Sequence, residues 1–135
     1  MVFSIPIRVY YEDTDSGGVV YYANYLKFME RARTEWLRAL GVEQDELVTR
    51  HGVIFAVRSV KIDFLKSARF NDLLRVTVAL GRCGSASATV QQRVQREDLV
   101  LCEAEVKIAC IGADSFTPCA MPKAVAARLS AGGVA

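Results

Sequence analysis

A chain of 135 residues with 52% hydrophobic content is long enough to close a core, and no Pro-, Gly- or Ser-rich tract divides it. Seventeen Lys and Arg against fifteen Asp and Glu leave a formal charge of +2. With the cations scattered along the chain, that balance excludes a nucleic-acid binder's electrostatic footprint.

The expected organisation is one domain over 1–135, with a core of 1–130 and a flexible tail of 131–135. No apolar run reaches the length of a membrane span. The opening MVFSIPIRVYYED lacks the basic start of a secretory signal. The four cysteines, Cys83, Cys102, Cys110 and Cys119, form no CxxC pair. Together these features predict reduced thiols in a cytoplasmic protein, and no zinc site.

Ile5, Ile7 and Val9 alternate with polar or turn residues, the pattern of a half-buried first strand. After an acidic glycine turn, Tyr25, Phe28, Met29, Ala32, Trp36 and Leu40 fall at helical spacing from about Asn24. Arg31 and Glu35 stand at i,i+4, and Gly41 supplies a C′ residue. A short helical turn is predicted around Asp45 to Arg50. From Val53 the period becomes two. Val60, Ile62 and Phe64 form one run, Leu74 to Leu80 a second, Ala88 to Val94 a weaker third and Ala104 to Cys110 a fourth. Each suits an antiparallel strand with one covered face. A last helical piece over Pro122 to Leu129 leads to a Gly-containing tail. One long amphipathic helix and about five strands are most simply joined by curling the sheet around the helix.

The chemistry-bearing stretch is Tyr11 to Asn24, YEDTDSGGVVYYAN. Glu12, Asp13 and Asp15 crowd the end of the first strand, and Gly17 and Gly18 follow at once. An acid in a glycine turn ahead of a helix N-terminus combines a base or nucleophile with positive potential. That combination suits attack on a carbonyl. The ordinary alternative is a turn of Asp, Ser and Gly with Asn24 as N-cap.

The order strand, long helix, four strands, short helix is carried by particular segments. They are YYEDTDSGGVVYYANYLKFMERARTEWLR, FAVRSVKIDFLKSARFNDLLRV, LCEAEVKIACI and MPKAV. In that arrangement the chain resembles the hotdog-fold acyl-CoA thioesterases. It is most similar to the Tol–Pal-associated (YbgC-type) branch, related to 4-hydroxybenzoyl-CoA thioesterase. The resemblance implies an α+β hotdog fold, a curled five-stranded antiparallel sheet around a long central helix. It implies hydrolysis of an acyl-CoA to free acid and coenzyme A. Asp15 would be general base or nucleophile, and the Tyr22 backbone N–H would polarise the thioester carbonyl.

Gly17, Gly18, Asn24 and Asp13 would support that pair. Arg82 and Ser85, in a turn between strands, would contact the coenzyme A phosphates and pantetheine. No metal and no cofactor beyond the substrate's coenzyme A are implied. An acyl-carrier protein is a possible source of the acyl group, and the assembly would be a homodimer or homotetramer. Tyr22 stands where the branch usually has histidine and hydroxybenzoyl-type relatives have tyrosine. Ser67 stands where the branch tends to have proline.

Other readings fit less of the sequence. Asp13 to Gly18 opens like a calcium loop, but its fifth position is Gly17 and its twelfth Asn24. No GxSxG motif supports a serine hydrolase. His51, the single histidine, is all that a Cys–His enzyme or a hotdog dehydratase could use. Glu30 is weighed because other hotdog lineages place their acid on the central helix; its ordinary reading is a solvated glutamate. The non-enzymatic alternative is a hotdog binding partner of an envelope or lipid-synthesis assembly.

Overall fold

A computed structural model describes residues 2–133. The period-two runs become β1 (Phe3–Arg8), β2 (Val53–Phe64), β3 (Leu73–Cys83), β4 (Ser87–Arg96) and β5 (Leu99–Gly112). All pair antiparallel in the order β1-β3-β4-β5-β2. Short turns join β3 to β4 and β4 to β5, so β1 and the long β2 are the edges. The sheet is open, and with its helices it makes the expected α+β hotdog architecture.

Helix α1 (Tyr22–Ala39) contains neither Gly nor Pro and buries Tyr25, Phe28, Met29, Ala32 and Trp36 on one stripe. It ends in a Schellman motif. Gly41 adopts φ +83°, its N–H reaches the Arg38 carbonyl at 2.9 Å, and the Val42 N–H reaches Leu37 at 2.8 Å. The stripe packs on β1, β3 and β4, against Leu74, Val76, Val78, Val90 and Val94, all excluded from water. Each such side chain contributes about 1.5–3 kcal/mol. A short helix α2 (Gln44–Glu46) continues into a π-helical turn, Leu47–His51. Helix α3 (Lys123–Gly133) runs further than the Pro122–Leu129 piece expected. It takes in part of the expected tail, whose last two residues lie outside the described range. No helix among the described residues is long and apolar enough to cross a membrane.

Three local expectations change. Helix α1 starts at Tyr22, with Tyr21 as N-cap; Asn24 lies inside the first turn, where its side chain serves another partner. Arg31 does not pair with Glu35: it lies over the Phe28 ring at 6.0 Å, while Glu35 pairs with Arg38. Val60 and Phe64 are 39% and 48% exposed, because no layer of this chain covers the later part of edge strand β2.

Gln92 explains the weak third run. It points into the core, 1% exposed, where its Nε2 donates to the carbonyls of Met29 at 3.0 Å and Thr77 at 3.3 Å. Its Oε1 accepts from Arg33 Nη1 at 2.9 Å. A buried amide is tolerable when its donors and acceptor are satisfied.

Candidate active site

Residues 14–20 form a tight β-turn arm. Thr14 bridges Val20, the Asp15 N–H donates to Val19 O at 2.9 Å, and the Gly18 N–H donates to Asp15 O at 3.0 Å. Gly18 sits at φ +81°, a left-handed conformation costing a residue with a Cβ about 1–2 kcal/mol. The arm is tied to the connection between β2 and β3 through Val19, which bridges Arg69, and through the Val20 N–H, 2.8 Å from Ala68 O.

The two aspartates of this arm do different things. Asp13 ends a single 3₁₀ turn (Tyr11–Asp13) and is buried. Its Oδ2 accepts the Tyr10 N–H and its Oδ1 accepts Asn24 Nδ2, each at 2.9 Å. Its carbonyl takes the Tyr21 N–H at 2.9 Å. Asp13 and Asn24 therefore clamp the arm to the start of α1. Asp15 is exposed. Its Oδ1 accepts the Gly17 N–H at 2.8 Å, which fixes the carboxylate, and its Oδ2 makes no hydrogen bond among the described residues. The Tyr22 N–H, at the first position of α1, is likewise unpaired among the described residues, as first-turn amides commonly are.

Asp15 and Tyr22 line one cavity of about 290 Å³, with Val19, Tyr25, Phe64, Leu65, Lys66 and Ser67 among its walls. Its aromatic wall is organised around Tyr25, whose hydroxyl accepts the Ala68 N–H at 2.9 Å and whose ring lies 5.7 Å from Phe64. Burial pushes the Tyr25 hydroxyl pKa up, so it stays protonated. Tyr22 meets Phe64 edge-on at 6.1 Å. The arrangement puts an acid and the first residue of a helix on the walls of one partly apolar space. It suits an acyl group whose carbonyl carbon meets the acid and whose oxygen meets the amide.

Not every predicted residue is gathered there. Arg82 and Ser85 are exposed at the other end of the sheet. Leu73, the start of β3, pairs with Arg8 near the arm; nine residues of extended strand put Arg82 about 30 Å beyond. Glu30 lies two turns along α1, about 12 Å from Tyr22, with its Oε1 accepting the Thr34 hydroxyl at 2.8 Å. His51 is exposed at the end of the π turn, lining a separate depression with Arg50 and Arg128. A larger hollow of about 560 Å³ lies over the sheet's charged residues, including Arg75, Arg93 and Glu105. It holds no acid beside an unpaired helix-terminal amide. Among the described residues, no three His, Cys, Asp or Glu side chains converge as metal ligands would.

Sequence reasoning missed Phe64, Leu65 and Lys66 as cavity walls. The available signal was two adjacent large apolar residues, Phe64 and Leu65, breaking the alternation at the end of a strand. The Tyr25 hydroxyl bond carried no signal, since its partner is a backbone amide 43 residues away.

The model of the thioesterase-like superfamily matches residues 9–129. The chain belongs to this family. It is 46% identical over 125 residues to the acyl-CoA thioesterase YbgC of Haemophilus influenzae, covering 93% of this chain and 92% of that protein. It is 41% identical over 128 residues to the acyl-CoA thioester hydrolase YbgC of Escherichia coli O157:H7, covering 94% and 95%. The crystal structure of a probable thioesterase from Bartonella henselae superposes with a TM-score of 0.86 at 34% identity, over 90% of this chain and 100% of that one. The family match spans the arm, α1, every strand after it and most of α3.

Proposed function

We propose that this protein is an acyl-CoA thioesterase, hydrolysing an acyl-CoA to the free acid and coenzyme A. Membership of the family supports the class of reaction, as do relatives of 41–46% identity that are acyl-CoA thioester hydrolases. The observation that supports the mechanism is that Asp15, its carboxylate held by the Gly17 N–H, and Tyr22, the first residue of α1, line the same cavity. The thioester oxygen accepts the Tyr22 N–H at the positive end of α1, where developing negative charge is favoured. Asp15 then takes a proton from water as it attacks the carbonyl carbon, or attacks directly to give a mixed anhydride that water opens. In either course the C–S bond breaks, and the thiolate of coenzyme A leaves and is protonated. The chemistry needs only the substrate and water.

The working unit in this reading is a homodimer or a homotetramer. Strand β2 leaves one long edge unpaired and exposes Val57, Val60 and Phe64, and such an edge is a template for another strand. Its Phe64 end lies by the Asp15 cavity. Its Val53 end pairs with Gly112, beside the end of the sheet that carries the Arg82–Ser85 turn. A two-fold axis through the middle of β2 would bring that turn of a second copy toward this Asp15, completing the coenzyme A site between subunits. Cytoplasmic residence, an acyl-carrier protein as alternative acyl donor and an association with the Tol–Pal system belong to the same reading, supported by likeness to the YbgC branch. The test is release of free thiol from a panel of acyl-CoA substrates by the purified protein, compared as kcat/KM. No turnover of any acyl-CoA would overturn the proposal.

A further inference from the structure

Outside the candidate active site, one group of reactive side chains is held together by the fold. Cys110 lies near the end of β5 and is buried, while Cys119, on the segment that returns toward α3, is partly exposed. The Cys119 N–H donates to the Cys110 carbonyl at 3.0 Å, and the Gly112 N–H to Thr117 O at 2.9 Å. Ile111 bridges Pro118 antiparallel. Residues 110–112 and 117–119 thus run as paired strands, which sets Cys110 opposite Cys119. Their Sγ atoms are 3.8 Å apart. A disulfide needs about 2.05 Å, so closure asks for less than about 2 Å of sulfur movement. The remaining cysteines are elsewhere: Cys102 is eight residues back along β5, about 26 Å on an extended strand, and Cys83 closes β3 opposite Ala88.

The pair sits at a junction. The Cys110 N–H donates to Ala86 O, and the Met121 N–H, just past Cys119, donates to Ser85 O, both at 2.8 Å. The Arg82–Ala86 turn, the end of β5 and the lead into α3 are thereby tied through the residues beside the two thiols.

We propose that Cys110 and Cys119 form a reversible two-electron redox site, oxidised by a low-molecular-weight disulfide to an intramolecular disulfide that locks the junction between β5 and α3. Cys119, the accessible thiol, attacks as thiolate on one sulfur of R–S–S–R. That bond breaks, one R–S⁻ leaves and takes up the proton lost by Cys119, and Cys119 carries a mixed disulfide. Cys110 then gives up its proton and attacks the Cys119 sulfur, and the second R–S⁻ leaves as the thiol. Two cysteines are oxidised and one external disulfide is reduced to two thiols. The order follows from the surroundings. Burial and the adjacent Cys119 push the Cys110 thiol up to about 12, which leaves first attack to the more accessible Cys119, and the 3.8 Å between the sulfurs sets Cys110 within reach to resolve the mixed disulfide.

The test needs no variant. The reduced full-length protein is incubated with excess glutathione disulfide, alkylated under denaturing conditions, digested with trypsin and analysed by mass. No Lys or Arg lies between Ile108 and Lys123, so one peptide, Ile108–Lys123, carries both cysteines. The expected result is that this peptide loses two hydrogens and escapes alkylation, while Cys83 and Cys102 remain alkylated and dithiothreitol reverses the change. In Cys110→Ser, glutathione should stay bound on Cys119. Alkylation of both Cys110 and Cys119 after oxidant, a glutathione adduct on wild-type Cys119 that persists, or pairing of either residue with Cys83 or Cys102 would each overturn the proposal.

Discussion

Replacing Asp15 by Asn separates charge from shape. Asp15 is exposed, and the one structural bond its side chain makes is acceptance of the Gly17 N–H by Oδ1 at 2.8 Å. An asparagine Oδ1 accepts the same bond, so the turn survives and stability should move by less than about 0.5 kcal/mol, as for exposed substitutions generally. The rate should not survive. Loss of a positioned general base costs about 10²–10⁴-fold, or roughly 3–5 kcal/mol of transition-state stabilisation, and loss of a nucleophile more. Because the deleted charge faces an anionic substrate, KM should change little. The readout is kcat from thiol release on the best acyl-CoA, after circular dichroism shows the variant folded. Glu30→Gln is the control: its carboxylate bonds Thr34 two turns along the helix, and kcat should stay within about tenfold. Near wild-type turnover in Asp15→Asn with turnover lost in Glu30→Gln would move the acid onto α1 and refute the assignment.

Asp13→Asn should behave in the opposite way. An amide cannot accept from both Tyr10 N–H and Asn24 Nδ2, so thermal unfolding should show a loss of about 1–3 kcal/mol, with kcat of the folded protein within about tenfold. Tyr25→Phe removes the acceptor of the Ala68 N–H and should cost a similar 1–3 kcal/mol by denaturant titration. Asp72 titrates against burial, which disfavours its charge, but the Arg69 N–H and the Arg96 guanidinium at 2.7 Å prevail and hold its carboxyl below the usual range. Its stabilisation is therefore present above the unfolded carboxylate pKa and lost as pH falls through the folded one, so wild type and Asp72→Asn should converge in stability in acid. Val60→Arg places a charge on the open edge of β2; light scattering should show a shift toward monomer and thiol release should fall, whereas a fully active wild-type monomer would remove the basis for a shared site.

The fold was legible where one chain covers its own apolar face. Leu74, Val76, Val90, Val106 and Ile108 alternate in sequence and are buried, and α1 announces itself by spacing and by Gly41. Legibility failed at β2, because Val60 and Phe64 have the alternation of a covered face while this chain supplies no cover. Sequence pattern records that a side chain is apolar, not whether the same chain buries it. It failed too for Arg31, where an i,i+4 partner was outweighed by an aromatic face one turn back. For the site, composition supplied an ordinary turn, and the family likeness singled out Asp15 from its neighbours. The distance of Arg82 and Ser85 from Asp15 follows from β1 pairing with β3, which puts the start of β3 beside the arm and Arg82 at its far end, a long-range pairing that local pattern does not specify.

What distinguishes two aspartates separated by one threonine is where their oxygens find partners. Asp13 is folded under the arm, and both its oxygens are consumed by donors from Tyr10 and Asn24. A buried carboxylate held by a donor on each oxygen serves structure and is shielded from water. Asp15 is turned outward by the next step of the chain, and one oxygen is tied by Gly17 at a position where any Cβ would press on it at 3.2 Å. That contact explains a glycine there in steric terms. The other oxygen makes no hydrogen bond among the described residues, and Asp15 lines the same cavity as Tyr22, the first residue of α1. The same residue type thus serves as clamp at one position and, in the proposed reaction, as base at the other. The clamp would matter to that reaction because Asp13 and Asn24 hold the arm against the start of α1. Loosening the clamp in Asp13→Asn should shift Asp15 only slightly, consistent with a kcat that stays within about tenfold, an effect of geometry that Asp15→Asn leaves untouched.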